Sequence, residues 1–344
     1  MSVADSVWNE SAWWSGVARL ALSPASMAYR GVTSLRNALY DRGTFPAHGT
    51  EIPVLSVGNL AVGGTGKTPV SAWMAARARE RGARPAIVMR GYGDDEHRVH
   101  ALVNPDVPVI VSADRVAGVR NAIALGCDMA IMDDAFQHRR LARLEDVVLV
   151  SADRWHEPIR LLPTGPWRET PAALSRASLI VVTRKAAAAN AARHLMERLS
   201  RLTKSGQGAV AALELEALHN AVTGTVRPLS DIAGSSVLAI AGLADPESFA
   251  RQLRGVASRV VLRNFPDHYV YHSSDIAQLA GEGRGFDHAL CTMKDAVKLG
   301  PRWPREAPPL WYVSLRCEIE VGRAEVSALL DRVLAARTHT QTGA

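Results

Sequence analysis

Residues 52–69 read IPVLSVGNLAVGGTGKTP. The apolar run from Ile52 to Val57 predicts a short buried strand, and a helical pattern opens at Lys67 and Thr68 behind a glycine-rich turn. Strand, glycine turn and helix in that order make a phosphate-binding loop. Gly63, Gly64 and Gly66 let the backbone curl so that several N–H groups and the first helical turn face one anion. Lys67 is then placed to reach terminal phosphates, and the Thr68 hydroxyl to ligate magnesium. The strict pattern asks for glycine at position 61, where this chain has Ala61. A glycine-rich turn that holds no nucleotide is the alternative.

Strands and helices alternate outward from this loop. A helix over Val70–Arg81 ends at Gly82, and PAIVMRGYG supplies a strand from Ala86 to Met89 followed by Arg90-Gly91-Tyr92-Gly93. Asp94, Asp95 and Glu96 come next, at the carboxyl end of that strand, where clefts of open α/β sheets lie; a solvated acidic turn is the alternative. Val107–Val111 predicts a third strand, and Asp114 is the candidate N-cap of a helix reaching Leu125. The fourth strand, Met129–Met132, terminates in Asp133-Asp134, an arrangement suited to nucleotide-bound magnesium or its waters. Gln137 and His138 follow directly and are expected in the same cleft. Further strands at Val147–Val150 and Leu179–Thr183 flank the proline-rich loop LLPTGPWRETP, whose Arg168 is a candidate anion contact or a plain surface arginine.

After a helix over Ala187–Lys204 and a break at Ser205–Gly208, the alternation restarts with strands at Val237–Ile240, Arg259–Leu262, His288–Cys291 and Leu310–Val313. Helices open at Pro246 and run over Ala324–Ala335. The pair Asp267-His268 sits at a strand exit, where a histidine beside a carboxylate is able to accept or relay a proton. The expected fold class is α/β: a P-loop NTPase-like three-layer α/β/α domain over residues 46–225, and a second, smaller α/β domain over 226–338. The boundary falls between about 205 and 230.

Composition bounds the partners. The chain has 344 residues, 47% of them hydrophobic, enough for two cores. A net charge of +6 favours an anionic partner. Cys127, Cys291 and Cys317 are widely spaced and suggest neither disulfides nor a zinc site. No apolar run reaches the ~18 residues of a spanning helix, and the N-terminus does not read as a secretory signal. Residues 1–45 carry Trp8, Trp13, Trp14, Val17, Leu20 and Leu22, with Arg19, Arg30, Arg36 and Arg42 among and after them. That mixture suits a membrane interface or a helix packed on the main body. Zinc-finger spacing, aromatic sheet signatures and dense basic clusters are missing, so no nucleic-acid partner is expected.

The ordered series SVGNLAVGGTGKTP, RGYG, DRV, DDAFQHRRL, LLPTGPWRE, VVTRK, AGLADPESF, FPDHYVY and TMKDAVKL resembles the tetraacyldisaccharide 4'-kinases, the lipid A 4'-kinases of Gram-negative bacteria. The resemblance covers about Glu51 to Leu299 and implies two α/β/α domains joined by a two-stranded linker, with ATP and magnesium in the cleft between them. It also implies an N-terminal interfacial helix on the cytoplasmic face of the inner membrane, an anionic surface from which a lipid A disaccharide precursor is drawn. By the same resemblance, Ala61, Val62, Gly63, Gly64, Thr65, Gly66, Lys67 and Thr68 bind ATP, and members of the family also lack the first glycine. Asp133 and Asp134 match a magnesium-linked pair used with Thr68. Arg90, Tyr92, Gln137, His138 and Arg168 are candidate contacts to the acceptor. His268 matches a histidine that pairs with an aspartate to activate the sugar hydroxyl. That aspartate belongs to a G-D-E-P segment, shortened here to GDDEHRV, so Asp95 is assigned with Asp94 as rival. On this reading Asp95 accepts the proton, His268 orients it, and Lys67 clamps the leaving phosphates. Two rivals stand beside the kinase: a membrane-associated P-loop switch without a lipid acceptor, whose signature lysine is replaced by Val62, and a nucleotide-regulated binding module.

Overall fold

The computed structural model describes residues 7–8, 13–91, 93 and 95–337. Tyr92 and Asp94, both named above, lie outside the described residues, as does the tail from position 338. The strands are β1 (Val54–Asn59), β2 (Pro85–Met89), β3 (Val109–Val111), β4 (Met129–Asp133), β5 (Glu145–Ser151), β6 (Leu179–Arg184), β7 (Gly208–Asn220), β8 (Val226–Pro228), β9 (Ser236–Gly242), β10 (Arg259–Phe265), β11 (His288–Thr292) and β12 (Leu310–Val321). The α-helices are α1 (Ser15–Asp41), α2 (Lys67–Glu80), α3 (Glu96–Val103), α4 (Arg115–Ala124), α5 (Ala189–Ser200), α6 (Pro246–Arg254), α7 (Ser273–Gly283), α8 (Met293–Leu299) and α9 (Arg323–Ala336).

β1, β2 and β4 are buried along their whole length, as parallel strands covered on both faces must be. Their period of two sends alternate residues to opposite layers. Leu55, Val57, Val147 and Leu149 join a core with Met74 of α2 and Leu329 of α9, whereas Val148, Val150, Ile180 and Val182 pack beneath Leu195 and Leu199 of α5. Ala86, Val88, Ala130 and Met132 pack with Val116 and Val119 of α4.

All twelve strands form one sheet in the order β10-β9-β11-β12-β7-β6-β5-β1-β4-β2-β3, with β8 on β7. The two halves meet through β7 and β12, a long antiparallel ribbon. β6 lies parallel to the first residues of β7, and β11 lies parallel to the first residues of β12. These starts are at opposite ends of the ribbon, so the strands of each half run towards its middle. The carboxyl ends of both halves therefore face one another across Leu215 and Leu315, which pair directly. One residue further along, the register slips: Val313 pairs with Leu218, leaving an extra residue on β7, a bulge that bends the ribbon at its centre. Within each half the strand order reverses, around β1 and around β9. A crevice forms at the carboxyl end of such a switch point, and here two of them open into one space.

The ribbon accounts for two departures from the sequence expectation. β7 runs through the stretch read as a break and boundary, and β12 extends eight residues past Val313 to Val321. The grouping of 226–338 as one unit also does not describe the packing of α9. Val326, Leu329, Leu330 and Val333 lie in the same core as β1 and α2, because β12 carries the chain back to the first half.

Candidate active site

The loop between β1 and α2 is held from several sides. Asn59 Nδ2 donates to Thr65 Oγ1 at 2.8 Å, and Thr183 Oγ1, at the end of β6, donates to the Thr65 carbonyl at 2.9 Å. Gly66 is the N-cap of α2 with φ 82°, in the left-handed region, and a Cβ there would stand 2.6 Å from Leu213 Cδ1. No side chain caps α2 and no acidic residue occupies its first turn, so its N–H groups and positive dipole end are left for an anion. Gly66→Ala is expected to weaken nucleotide binding at least ~10-fold, since the left-handed conformation alone costs about 1–2 kcal/mol and the methyl meets Leu213. Titration with a fluorescent ATP analogue measures this, with circular dichroism as the control for folding.

A cavity of about 390 Å³ opens above the loop. Its wall on the first half consists of Val62 to Pro69, Asp134, Arg168 and Lys185. Asp134, at φ 53°, pairs with Arg168 Nη1 through both oxygens, at 2.9 and 3.1 Å, and with Lys67 Nζ at 3.7 Å. Burial pushes the Asp134 carboxyl up, and the charges of Lys67, Arg168 and Arg115 more than offset this and hold it below the ordinary range. Asp133 instead turns into the protein: Oδ2 accepts from Nε2 of His100, a buried α3 residue, at 2.8 Å. Its Oδ1 is buried without a hydrogen-bond partner among the described residues.

The opposite wall comes from α3, the loop after β10 and the N-terminus of α8. Asp95, 1% exposed, sits just before α3 and is held through both oxygens: Oδ1 by His268 Nδ1 at 2.9 Å, Oδ2 by Lys298 Nζ at 3.2 Å. Burial raises the Asp95 carboxyl, but the His268 hydrogen bond and the charges of Lys294, His268 and Lys298 outweigh it and leave it far below the usual carboxylate range. A carboxylate only accepts, so the His268 proton is on Nδ1 and the neutral ring keeps its lone pair on Nε2. His268 borders the cavity, whereas Asp95 does not. The hydrogen bond to Asp95 raises the His268 pKa above its ordinary value, against burial and the nearby Lys294 charge. Lys294 is held by Glu96 at 3.0 Å and Asp267 at 3.9 Å, and all three border the cavity. Behind them Asp295, fully buried, accepts from Tyr271 OH, Thr292 Oγ1 and the Gly242 N–H, which ties the N-terminus of α8 to β9.

Residues 18–335 match the family described as tetraacyldisaccharide-1-P 4'-kinase. The chain belongs to the tetraacyldisaccharide 4'-kinase family. Among its relatives, the tetraacyldisaccharide 4'-kinase of Anaeromyxobacter dehalogenans is 36% identical, with 95% of each chain covered. That of Xanthomonas campestris pv. campestris is 34% identical over 90% of this chain and 92% of the relative. The crystal structure of the apo form of LpxK from Aquifex aeolicus, in complex with ATP, aligns with a TM-score of 0.70 at 25% identity, covering 92% of this chain and 99% of that one. The fold is therefore that of the family, P-loop NTPase-like, and the protein is a kinase. The switch without an acceptor is not supported.

Not every residue expected at the site lines the cavity. Ala61 bridges to Trp167 and borders a separate recess with Trp155 and Pro166. Gln137 braces the loops, donating to the Asn59 carbonyl at 2.8 Å and to Glu169 at 3.1 Å. His138 lies away from the cavity, where burial and the charges of Arg115 and Arg143 pull its pKa down to about 4. Arg90 is exposed beyond the end of β2, near Arg115. Glu96 belongs to the acidic trio expected at the cleft, whereas Lys185, Gln252, Lys294 and Lys298 are not singled out by the sequence. Each is an ordinary polar residue of a helix or strand end, and only the meeting of the two halves gives it a place at or behind the cavity wall.

Proposed function

We propose that the protein transfers the γ-phosphate of ATP to the 4'-hydroxyl of a tetraacylated glucosamine disaccharide 1-phosphate, forming lipid IVA in lipid A biosynthesis. The observation that carries this is the position of His268, which borders the same cavity as Lys67 and the N-terminus of α2, with Nδ1 on Asp95 and Nε2 3.9 Å from Asp267 Oδ2. The phosphates of ATP lie on the loop from Val62 to Thr68, with Lys67 and Arg168 compensating the charge that shifts onto the leaving and transferred groups. The sugar hydroxyl gives its proton to His268 Nε2. Asp95, buried and kept ionised beside Lys298, holds the ring by Nδ1 and stabilises the imidazolium that forms. This reverses the roles expected from the sequence, in which Asp95 was the acceptor.

Thr68, which borders the cavity, and Asp133, which turns inward and does not, are the donors that would hold magnesium. Asp133 Oδ1 is an orphaned carboxylate oxygen, and the Thr68 hydroxyl lies in the first turn of α2. A magnesium ion held by them would supply charge neutralisation for the phosphates. Asp134, also expected at the metal, has both oxygens on Arg168 and belongs with the cation clamp.

The acceptor is drawn from an anionic membrane surface at the cytoplasmic face of the inner membrane. No helix among the described residues is long and apolar enough to cross a membrane. Trp13, Val17, Leu20, Met27 and Leu35 are all more than 60% exposed, and their spacing at the period of 3.6 residues gathers them on one side of α1 and its entry. The other side packs on the loop that carries Arg168: Tyr29 OH donates to the Arg168 carbonyl at 3.1 Å and Asn37 Nδ2 to Glu169 at 2.6 Å. Lipid docking and the site are thus joined by one loop. Replacing Leu20 and Met27 by Glu is expected to lower co-sedimentation with phosphatidylglycerol vesicles at least ~10-fold, since each side chain contributes about 1.5–3 kcal/mol when buried. The direct test of the reaction is acceptor dependence: ATP turnover in detergent micelles rises on addition of the lipid disaccharide. Turnover indifferent to the acceptor contradicts the proposal.

A further inference from the structure

Part of the cavity lining is apolar. Leu215, Val313 and Leu315, at the bent centre of the ribbon, line the cavity together with Leu243 and Phe249 and make an apolar slot of that wall. Gln252 of α6 borders it. Its Nε2 donates to the Leu213 carbonyl at 2.7 Å, which commits the amide's donor end to the ribbon and fixes which end is oxygen. Its Oε1 accepts no hydrogen bond among the described residues and is left as an acceptor on an apolar slot.

The sheet order decides which end of a nucleotide reaches this slot. Asp134 follows β4, and Asp95, the partner of His268, follows β2, so the terminal phosphate of a nucleotide on the loop points to the β4 and β2 side. β6 and β7 pass on the other side, where Leu213 and Thr183 crowd the last glycine of the loop. A nucleoside carried beyond the phosphates in that direction meets the slot.

We infer that this slot holds the nucleobase and that Gln252 selects it, Oε1 accepting from the 6-amino group of adenine and repelling the 6-oxo group of guanine or hypoxanthine. This rests on the kinase reading and adds to it the residue that chooses the nucleotide. Two other polar groups border the slot. Asp245 Oδ1 accepts from the Ser248 N–H at the start of α6, at 3.2 Å, and its other oxygen would also favour a 6-amino group, so the Gln252→Leu variant is what separates the two. Lys185 is a donor, and were it the reader, the 6-oxo base would be preferred.

ATP and ITP differ at the base only in the six-position group and the N1 proton that follows it, so they are the probes. Displacement of a fluorescent ATP analogue gives their affinities without any lipid, and lipid phosphorylation gives kcat/KM. The wild-type protein is expected to favour ATP about 10- to 100-fold in both, the worth of one satisfied hydrogen bond against one left facing a like group. Gln252→Leu is expected to bring the ratio to within about threefold. Loss of packing alone lowers both nucleotides together and leaves the ratio unchanged, which would overturn the role of Gln252. Equal use of ATP and ITP by the wild type, or preference for ITP, overturns the inference without any substitution. Absence of phosphorylated lipid with either nucleotide, while the affinities differ as expected, instead counts against the kinase reading.

Discussion

Asp95→Asn is expected to lower kcat by about 10²- to 10⁴-fold, the range for loss of a group that orients and charges a general base. It is also expected to move the acidic limb of the pH profile to lower pH. The sign follows from the site. The His268 pKa is raised chiefly by its hydrogen bond to Asp95, while burial and Lys294 push it down, so removing the carboxylate leaves only the lowering influences. In the wild type the reactive form is neutral His268. Activity should therefore fall as pH drops through a value above the ordinary histidine pKa of ~6.5. His268→Ala should lose a comparable factor and the limb with it. Were Asp95 the proton acceptor, the limb would lie far down in the carboxylate range, where Lys298, Lys294 and His268 hold that group. A limb that survives in His268→Ala contradicts the assignment.

Lys67→Met is expected to reduce kcat/KM for ATP by about 10²- to 10³-fold, the loss typical of one preorganised charge at a developing anion. Lys67 projects from the first turn of α2 into the cavity, and with it gone Asp134 keeps Arg168 as its close cationic partner. The phosphates would then meet a less compensated carboxylate as well as a missing cation. Lys67→Arg is not expected to restore the rate, because a planar fork does not replace a compact ammonium in a loop shaped by Gly63 and Gly66. Steady-state kinetics over an ATP titration measure both, and a Met variant within threefold of wild type would remove Lys67 from the account.

Short-range signals carried most of the first half. The continuous apolar runs of β1, β2, β4, β5 and β6, the loop glycines and the Asp114 cap, which accepts from the Val116 N–H at 2.9 Å, were all readable, because each rests on a few neighbouring residues. The ribbon was not. β7 reads GAVAALELEALHN, whose alanines, leucines and glutamates favour helix, and only pairing with β12 on one side and β6 on the other makes it a strand. Helix α3 was hidden for a similar reason: EHRVHALV follows an acidic turn and is held by Lys294 and Lys298 from the far half of the chain. The chemistry divided in the same way. Lys67, Arg168 and His268 were found as residues, but the burial of Asp95 and the turning of Asp133 towards His100 depend on partners remote in sequence, and those partners set the roles.

The most direct test of the reaction is transfer of labelled γ-phosphate from ATP to a tetraacylated glucosamine disaccharide 1-phosphate, with the new phosphate mapped on the sugar. The account predicts one label per acceptor, on the 4'-hydroxyl, formed by the wild type and nearly lost in Lys67→Met and His268→Ala. Label released only as inorganic phosphate, or placed on another hydroxyl, would contradict it.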